Sequence, residues 1–245
     1  MPNDLPEPRA PLRVLAAGAA KAVVSTLAPL HQARFRQMLD VKFDTVGALR
    51  DRALQGEPAD ILILSDTALR VVDEALPGAL RVTRDLGRTG IGLAGTAGRE
   101  PADIATPESF RDLLLGAHSI GYADPARGAT AGTQFAHALE QLGLKDRLRD
   151  RLRVFAFGVD AVSAVSRGEV EVAISQATEI VPRPEVSFLG LFPEPYQLWT
   201  RYQAATMSDR EEAKAFLDLL EGSEGTAALR HSGFVHSEAA GRRSS

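Results

Sequence analysis

The sequence predicts an α/β protein built as two lobes, each a mostly parallel sheet flanked by helices, with two crossover strands between them. Short apolar runs alternate with helix-period stretches, and this alternation is typical of parallel sheets covered on both faces. A Gly-rich segment at 87–98 interrupts the series, which then restarts. The segment PEPYQLWTRYQA at 193–204 indicates that the chain returns to the first lobe, so we expect two crossovers.

The first series contains three strand-helix units. LRVLAAG at 12–18 is an apolar run ending in Gly, and a helical pattern follows it through residue 39. VKFD at 41–44 precedes a helix from about Val46. DILIL at 60–64 precedes a helix from about Thr67.

The second series follows the same order. Thr106 is a predicted N-cap with Pro107 at the first helical position. AHSIGYADP is a predicted strand, followed by the helix TAGTQFAHALEQLG ending at Gly143, the strand LRVFAFG, a short helix and the strand EVEVAIS. The closing stretch 213–234 is predicted to be helical. We expect one lobe from 11–88 plus 199–240, the other from 89–198, and flexible ends at 1–10 and 241–245.

Composition excludes several partners. The 245 residues carry a formal net charge of -4 and no long Lys/Arg run, which argues against nucleic acid as a partner. No apolar segment approaches the roughly 20 residues that span a bilayer, so no membrane insertion is expected. We expect a monomer.

The N-terminal stretch MPNDLPEPRAPLRVLAAGAA is acidic and interrupted by Pro, unlike a signal peptide. A periplasmic location is expected if an export signal was removed from the chain, and a cytoplasmic one otherwise. The chain has no cysteine, which leaves both compartments open.

No cofactor or metal is expected. The stretch GIGLAG at 90–95 spells a dinucleotide fingerprint, but Pro101 follows closely and no helix can begin inside it. The five histidines show no i, i+4 pairing with a carboxylate beside it, and cysteine ligands are absent. No G-x-S-x-G elbow nominates a nucleophilic serine.

Small and polar residues recur where a strand gives way to a helix. Helix N-termini offer unpaired N–H groups and partial positive charge, so such positions hold anions without many formal cations. Lys21 and Arg127 add charge that balances a carboxylate. The candidate ligand-binding residues are Gly18, Ala19, Lys21, Thr45, Val46, Gly47, Ser65, Tyr122, Arg127, Thr130, Ala131, Gly132, Thr133, Val159, Ser175 and Gln176.

These stretches resemble the extracytoplasmic solute-binding proteins of the molybdate-binding type over about residues 12–234. The resemblance is carried by VLAAGAAKAVVSTLAPLH, FDTVGALRDRALQGEPADILILSD, YADPARGATAGTQFAHALEQLGL, AVSRGEVEVAIS and GTAALRHSGF. It implies the two-lobed type II periplasmic binding protein fold. It also implies a small anionic ligand in the inter-lobe cleft and a membrane permease as the partner of an ABC-type uptake system.

The same resemblance argues against molybdate as the ligand. The serines that such proteins place after the first and second strands fall at Ala19 and Gly47, and their tyrosine falls at about Gln176; the small residue that offers its amide falls at Ala131. Each unreplaced hydrogen bond costs roughly 1–3 kcal/mol. Longer and more cationic side chains take their place, which favours an organic di- or tricarboxylate: Lys21, Thr45, Tyr122, Arg127, Thr130, Thr133 and Gln176.

Two alternatives stay open. Some relatives with this fold interconvert cis- and trans-aconitate, and the candidate proton carriers for such an isomerase are Lys21, Tyr122, Asp124 and Glu179. Asp124 precedes Pro125 and also suits a simple turn, and Glu179 also suits a cap or an ion pair. The second alternative is a cytoplasmic small-molecule sensor, although no helix-turn-helix precedes Leu12.

Overall fold

A computed structural model describes residues 9–236 of the protein. These residues form two five-stranded sheets, each flanked by helices. The segments predicted to be flexible lie largely outside the described range. No helix within residues 9–236 is long and apolar enough to cross a membrane.

The strands of the first sheet are β1 Leu12–Ala17, β2 Leu39–Asp44, β3 Ile61–Ser65, β4 Thr83–Thr89 and β10 Thr200–Thr206. Their order across the sheet is β2-β1-β3-β10-β4. β1 runs parallel to β2 and β3, whereas β10 pairs antiparallel with β3 and β4. The sheet is therefore mixed, because β10 arrives from the second lobe in the opposite direction.

Five helices cover the first sheet. They are α1 Lys21–Phe35, preceded by a 3-10 turn at Gly18–Ala20, α2 Val46–Leu54, α3 Asp66–Ala75, α9 Glu211–Glu221 and α10 Ser223–His231. β3 is buried along its whole length, as expected for a strand covered on both faces.

The strands of the second sheet are β5 Ile91–Thr96, β6 Ile120–Ala123, β7 Leu152–Phe155, β8 Val172–Gln176 and β9 Val186–Leu191. Their order across the sheet is β7-β6-β8-β5-β9. The helices around it are α4 Pro107–Gly116, α5 Thr130–Gln141, α6 Lys145–Leu148, α7 Gly158–Ser166 and α8 Ala177–Ile180. β6 is parallel to β7 and β8, and β5 is antiparallel to β8 and β9.

Two crossovers join the lobes, as the sequence predicts. The chain passes from β4 to β5 at Gly90 and returns between β9 and β10. The Gln197 side chain binds these segments together: its Oε1 accepts from the Ile91 amide at 2.8 Å and its Nε2 donates to the Ile91 carbonyl at 3.0 Å. A Cβ at Gly90 would lie 3.0 Å from Nε2 of Gln197, so a side chain at this crossing would press on the Gln197 amide.

Most predicted elements lie within a few residues of their expected places. Thr106 caps α4 through a capping box with Ser109, and Gly143 follows α5 with φ 64°. Two boundaries differ. The first helix ends at Phe35 because Arg36 adopts the left-handed conformation (φ 52°), and Gly222, whose backbone is extended, divides the closing helical stretch into α9 and α10.

Candidate functional site

A cleft of about 190 Å³ lies between the two lobes. The last residues of four strands reach it: Ala17 of β1, Asp44 of β2, Ala123 of β6 and Gln176 of β8. The carboxyl ends of parallel strands are where open α/β sheets bind ligands, because the helices that follow begin there. Both sheets therefore present their ligand-binding edges to the same space.

Three helices of the second lobe begin at this cleft without a side-chain cap, and two of them, α5 and α7, are longer than two turns. The N-caps of α5 and α7 are Ala129 and Phe157, and neither side chain accepts a hydrogen bond from the helix. The first N–H groups of a helix have no intrahelical acceptor, and they carry the positive end of the helix dipole. Thr130, Ala131 and Val159 at these starts line the cleft.

The first lobe contributes a further uncapped start and one cation. The 3-10 turn that leads into α1 follows Ala17, which provides no side-chain cap, and Ala19 of this turn lines the cleft. Lys21 also lines the cleft, with its Nζ 5.7 Å from the centre of the Phe43 ring. The Lys21 side chain forms no ion pair within residues 9–236 and is available to balance an anion.

Glu179 places a carboxylate in the same wall. Its Oε2 accepts a hydrogen bond from the Ser175 hydroxyl. A Cβ at Gly18 would lie 2.5 Å from Oε1, and a Cβ at Gly158 would overlap Oε2, so glycine at both positions makes room for this carboxylate. Burial raises the pKa of Glu179, against the opposing effects of the Ser175 hydrogen bond and the Lys21 charge.

Gln176 and Tyr202 complete the buried polar lining. Gln176 is 4% exposed, and neither its Oε1 nor its Nε2 has a hydrogen-bond partner within residues 9–236. Buried amides are normally paired, so this side chain is suited to a ligand that offers both a donor and an acceptor. Tyr202 is 1% exposed, and burial raises the pKa of its phenol, so the phenol remains a neutral donor.

The lobes touch at the rim of the cleft. The Thr45 hydroxyl donates to the Arg127 carbonyl, and the Gly47 amide donates to the Gly128 carbonyl at 3.3 Å. Nη2 of Arg127 lies 3.5 Å from Oδ1 of Asp44, and its guanidinium lies over the Phe157 ring at 5.1 Å. The described structure is therefore a closed arrangement in which α2 meets the loop before α5.

The structure brings part of the predicted set together at the cleft. The residues that line it are Gly18, Ala19, Lys21, Thr45, Val46, Thr130, Ala131, Val159, Gln176 and the proton-carrier candidate Glu179. Ser175 lies directly behind this wall and binds Glu179. Thr45 has its hydroxyl engaged, since it accepts from the Ala48 amide at 3.3 Å and donates to Arg127.

The remaining predicted residues lie elsewhere. The Tyr122 ring packs against Phe135 in the second-lobe core, and Asp124 accepts from the Ala126 amide at 2.9 Å. Gly132 packs against the Ala123 carbonyl, and Thr133 is exposed. Gly47 and Ser65 line a separate groove, where Ser65 caps α3, and Arg127 lies at the rim.

Several residues of the cleft were not among the sequence candidates. They are Ala17, Phe43, Asp44, Ala123, Ala129, Phe157, Gly158, Asp160 and Tyr202. Most of them adjoin a predicted residue at the same strand-to-helix turn, so widening each turn by one or two positions would have found them. Tyr202 has no such signal, because it reaches the cleft only through the pairing of β10 with β3.

This geometry defines a two-lobed protein that encloses a small ligand with helix N-termini and a few buried polar groups. The chain belongs to the family of bacterial extracellular solute-binding proteins, which matches residues 12–235.

Individual relatives agree with the fold. The chain is 28% identical to an aconitate isomerase of Pseudomonas sp over 235 residues, covering 93% of this chain and 88% of that protein. It superposes on the periplasmic molybdate-binding protein of Azotobacter vinelandii with a TM-score of 0.73 and 18% identity, covering 93% of this chain and all of that one. It superposes on the sulfate-binding protein SubI of Mycobacterium tuberculosis with a TM-score of 0.67 and 14% identity, covering 95% of this chain and 88% of that one. The predicted type II periplasmic binding protein fold is confirmed.

Proposed function

We propose that the cleft captures a small organic acid with two or three carboxylates. The observation that supports this most directly is the set of uncapped helix starts facing Lys21 across one enclosed space. Backbone amides at helix starts bind carboxylates well, and the Lys21 ammonium balances the negative charge.

The size of the cleft also favours an organic acid. A cavity of about 150 Å³ holds a benzene-sized molecule, and this cleft has about 190 Å³. It lies below the roughly 300–1,000 Å³ of pockets that hold drug-sized ligands. A six-carbon acid fits this range, whereas a compact tetrahedral oxyanion would leave part of the space empty and Oε1 of Gln176 without a donor.

Titration calorimetry with citrate, tricarballylate, cis-aconitate, trans-aconitate and molybdate tests this proposal. We expect at least one organic acid to bind and Lys21→Met to weaken it about 10- to 150-fold, since one charge-assisted hydrogen bond is worth roughly 1.5–3 kcal/mol. Lys214→Met, which removes a surface lysine paired with Glu211, serves as the control and should leave affinity unchanged. Nanomolar molybdate binding with no response to any organic acid would contradict the proposal.

A second candidate function is isomerisation of an unsaturated polycarboxylate. Glu179 favours it, because this side chain is a carboxyl in the wall of the cleft and burial raises its pKa, which makes it a stronger proton acceptor than an ordinary carboxylate. The aconitate isomerase relative supports the same candidate. Of the four proton-carrier candidates from the sequence, Lys21 and Glu179 line the cleft, and Tyr122 and Asp124 do not.

A C=C bond does not rotate freely, so interconversion of the cis and trans acids requires the double bond to move. A base that removes a proton from the CH2 group beside the double bond produces a delocalised carbanion, and return of a proton to the far carbon shifts the double bond. Glu179 would take and return the proton, and Lys21 with the helix amides would stabilise the developing negative charge.

Incubation with cis- or trans-aconitate in D2O, followed by proton NMR, tests the isomerase. Interconversion with deuterium entering the product is expected, and Glu179→Gln should slow it at least 100-fold. Glu140→Gln, an exposed carboxylate paired with Lys145, is the matched control. A flat trace with the unsubstituted protein removes this candidate and leaves the binding function.

The broader role follows the family. We propose a periplasmic monomer whose lobes, 11–88 with 199–240 and 89–198, close on the ligand about the crossovers and present it to a membrane permease. Size-exclusion chromatography with light scattering checks the oligomeric state, and small-angle scattering with and without ligand checks closure.

A further inference from the structure

An anion-binding cleft that contains its own carboxylate needs an explanation. Glu179 lies in the wall of the cleft, with Oε2 on the Ser175 hydroxyl and Oε1 against Gly18 of the other lobe. A ligand carboxylate bound at the helix starts would therefore meet a second negative charge within the same small volume.

The charged groups around Glu179 do not neutralise it directly. Lys21 and Arg183 act on it through space, but Arg183 is held elsewhere, with Nε 2.8 Å from Oε1 of Glu185 and Nη2 2.8 Å from Oγ of Ser163. No ion pair within residues 9–236 includes Glu179. The other groups facing this space are two acids and a neutral phenol: Asp44, Asp160 and Tyr202.

We propose that Glu179 is the specificity-determining residue of the cleft, and that it admits an anion only together with one proton, held on its own carboxyl or on the ligand. This inference rests on the proposed function, in which the cleft takes a small organic acid. Two like charges at close range in a partly buried site repel each other, and a shared proton replaces that repulsion with a hydrogen bond.

Gln176 gives independent support from the neighbouring strand end. Its buried Nε2 and Oε1 both lack partners within residues 9–236, so a ligand that supplies an acceptor and a donor together satisfies both. A weak acid that keeps a proton or carries a hydroxyl supplies both. A fully ionised oxyanion such as sulfate supplies only acceptors, so it leaves Oε1 unpaired as well as facing Glu179.

Calorimetry between pH 5.5 and 8.5 with citrate, tricarballylate and sulfate tests the inference. In the unsubstituted protein, organic-acid affinity should fall about tenfold per pH unit once Glu179 ionises, because one proton is taken up on binding. Repeating the titration in buffers of different ionisation enthalpy measures the number of protons taken up, because the observed binding enthalpy changes with the buffer. Glu179→Gln should remove this part of the pH dependence and gain at least tenfold in sulfate affinity at pH 8. Titration of the ligand itself affects both proteins equally, so the difference between them reports on Glu179.

Two further variants control for indirect effects. Ser175→Ala keeps the Glu179 charge but removes a donor to it, so the pH dependence should move to higher pH while sulfate stays excluded. Glu140→Gln removes a surface carboxylate and should change neither property. Thermal unfolding of each variant verifies that it is folded.

The outcomes separate the two proposals. Identical pH dependence in the unsubstituted protein and Glu179→Gln, or equal sulfate binding by both at pH 8, overturns the role of Glu179 and leaves organic-acid capture intact. If no organic acid binds the unsubstituted protein but Glu179→Gln gains sulfate, the capture proposal fails and the role of Glu179 stands. If neither protein binds any of the three anions, both proposals are overturned.

Discussion

The starts of α2 and α3 in the first lobe are built differently from the starts of α5 and α7 in the second. In the first lobe, α2 and α3 begin at Thr45 and Ser65, whose hydroxyls accept from the third residue beyond each. In the second lobe, α5 and α7 begin at Ala129 and Phe157 without a side-chain cap. The strand-to-helix turn is therefore closed by its own side chain at α2 and α3 and left open at α5 and α7. The division follows the individual turn rather than the lobe, because the turn before α1 is also uncapped and Thr106 caps α4.

The difference matches the positions of these turns. The open starts of α5 and α7 line the cleft, whereas Ser65 lines a separate groove and Thr45 uses its hydroxyl on both its own helix and the Arg127 carbonyl. The N-cap residue thus decides whether the amides at a turn serve the fold or a ligand.

The largest effect is expected where an open start rests on the sheet. A Cβ at Gly132 would overlap the Ala123 carbonyl, so Gly132→Ala should displace the start of α5 and lower the free energy of unfolding by about 1–3 kcal/mol. Gly116→Ala, at a helical position with open space, should raise stability by about 0.5–1 kcal/mol. Urea unfolding measures both, and equal effects would contradict the packing argument.

Closing an open start should exchange binding for stability. Ala129 has the extended backbone of an N-cap, so Ala129→Ser can cap α5 and stabilise the fold by about 1 kcal/mol. The capped amides are then less available, and organic-acid affinity should fall by about tenfold. Ala129→Gly, which has no side-chain acceptor, is the control. Unchanged affinity in the capped variant would show that these amides do not contact the ligand.

Removing the side-chain cap of α2 or of α3 should lower stability in both cases, and it should weaken ligand binding only at α2. Thr45→Ala and Ser65→Ala each lose a cap worth about 0.5–2 kcal/mol. Only Thr45 also contacts the other lobe, so Thr45→Ala should weaken ligand binding more than Ser65→Ala does. Paired urea unfolding and calorimetry compare the two, and equal losses of affinity would exclude a role for the inter-lobe hydrogen bond.

Acid should have the smallest effect on stability, and it should act through a histidine of the first lobe. His31 is fully buried in the first lobe, and burial lowers its pKa below the ordinary 6.5. The unfolded chain then binds a proton more readily, so stability is complete above about pH 6.5 and falls as the pH drops toward the folded pKa.

The matched variant is His31→Gln, which should flatten the decline in unfolding free energy between pH 7 and 5 without changing ligand binding. If the unsubstituted protein and this variant lose stability in parallel, another group is responsible.

The fold followed from sequence because local signals agree with it. Thr106 and Gly143 mark helix boundaries through backbone preferences that need no tertiary context. The site could be predicted from the sequence only where its residues lie at strand ends. Tyr122 lies near the end of β6 and Asp124 directly follows that strand. Their positions resemble those of the cleft residues, yet the Tyr122 ring faces Phe135 and Asp124 closes a turn. Side-chain direction at such turns depends on packing partners distant in sequence, as the position of Tyr202 also does.

Competition calorimetry tests the central claim most directly, because it sets an organic acid against an oxyanion in one cleft. With the unsubstituted protein at pH 6, we expect citrate, tricarballylate or an aconitate to bind, and prior addition of excess molybdate to leave that binding unchanged. At a hundred times its dissociation constant the acid should stabilise the fold by about 2.7 kcal/mol. Tight molybdate binding that no organic acid displaces would contradict the account.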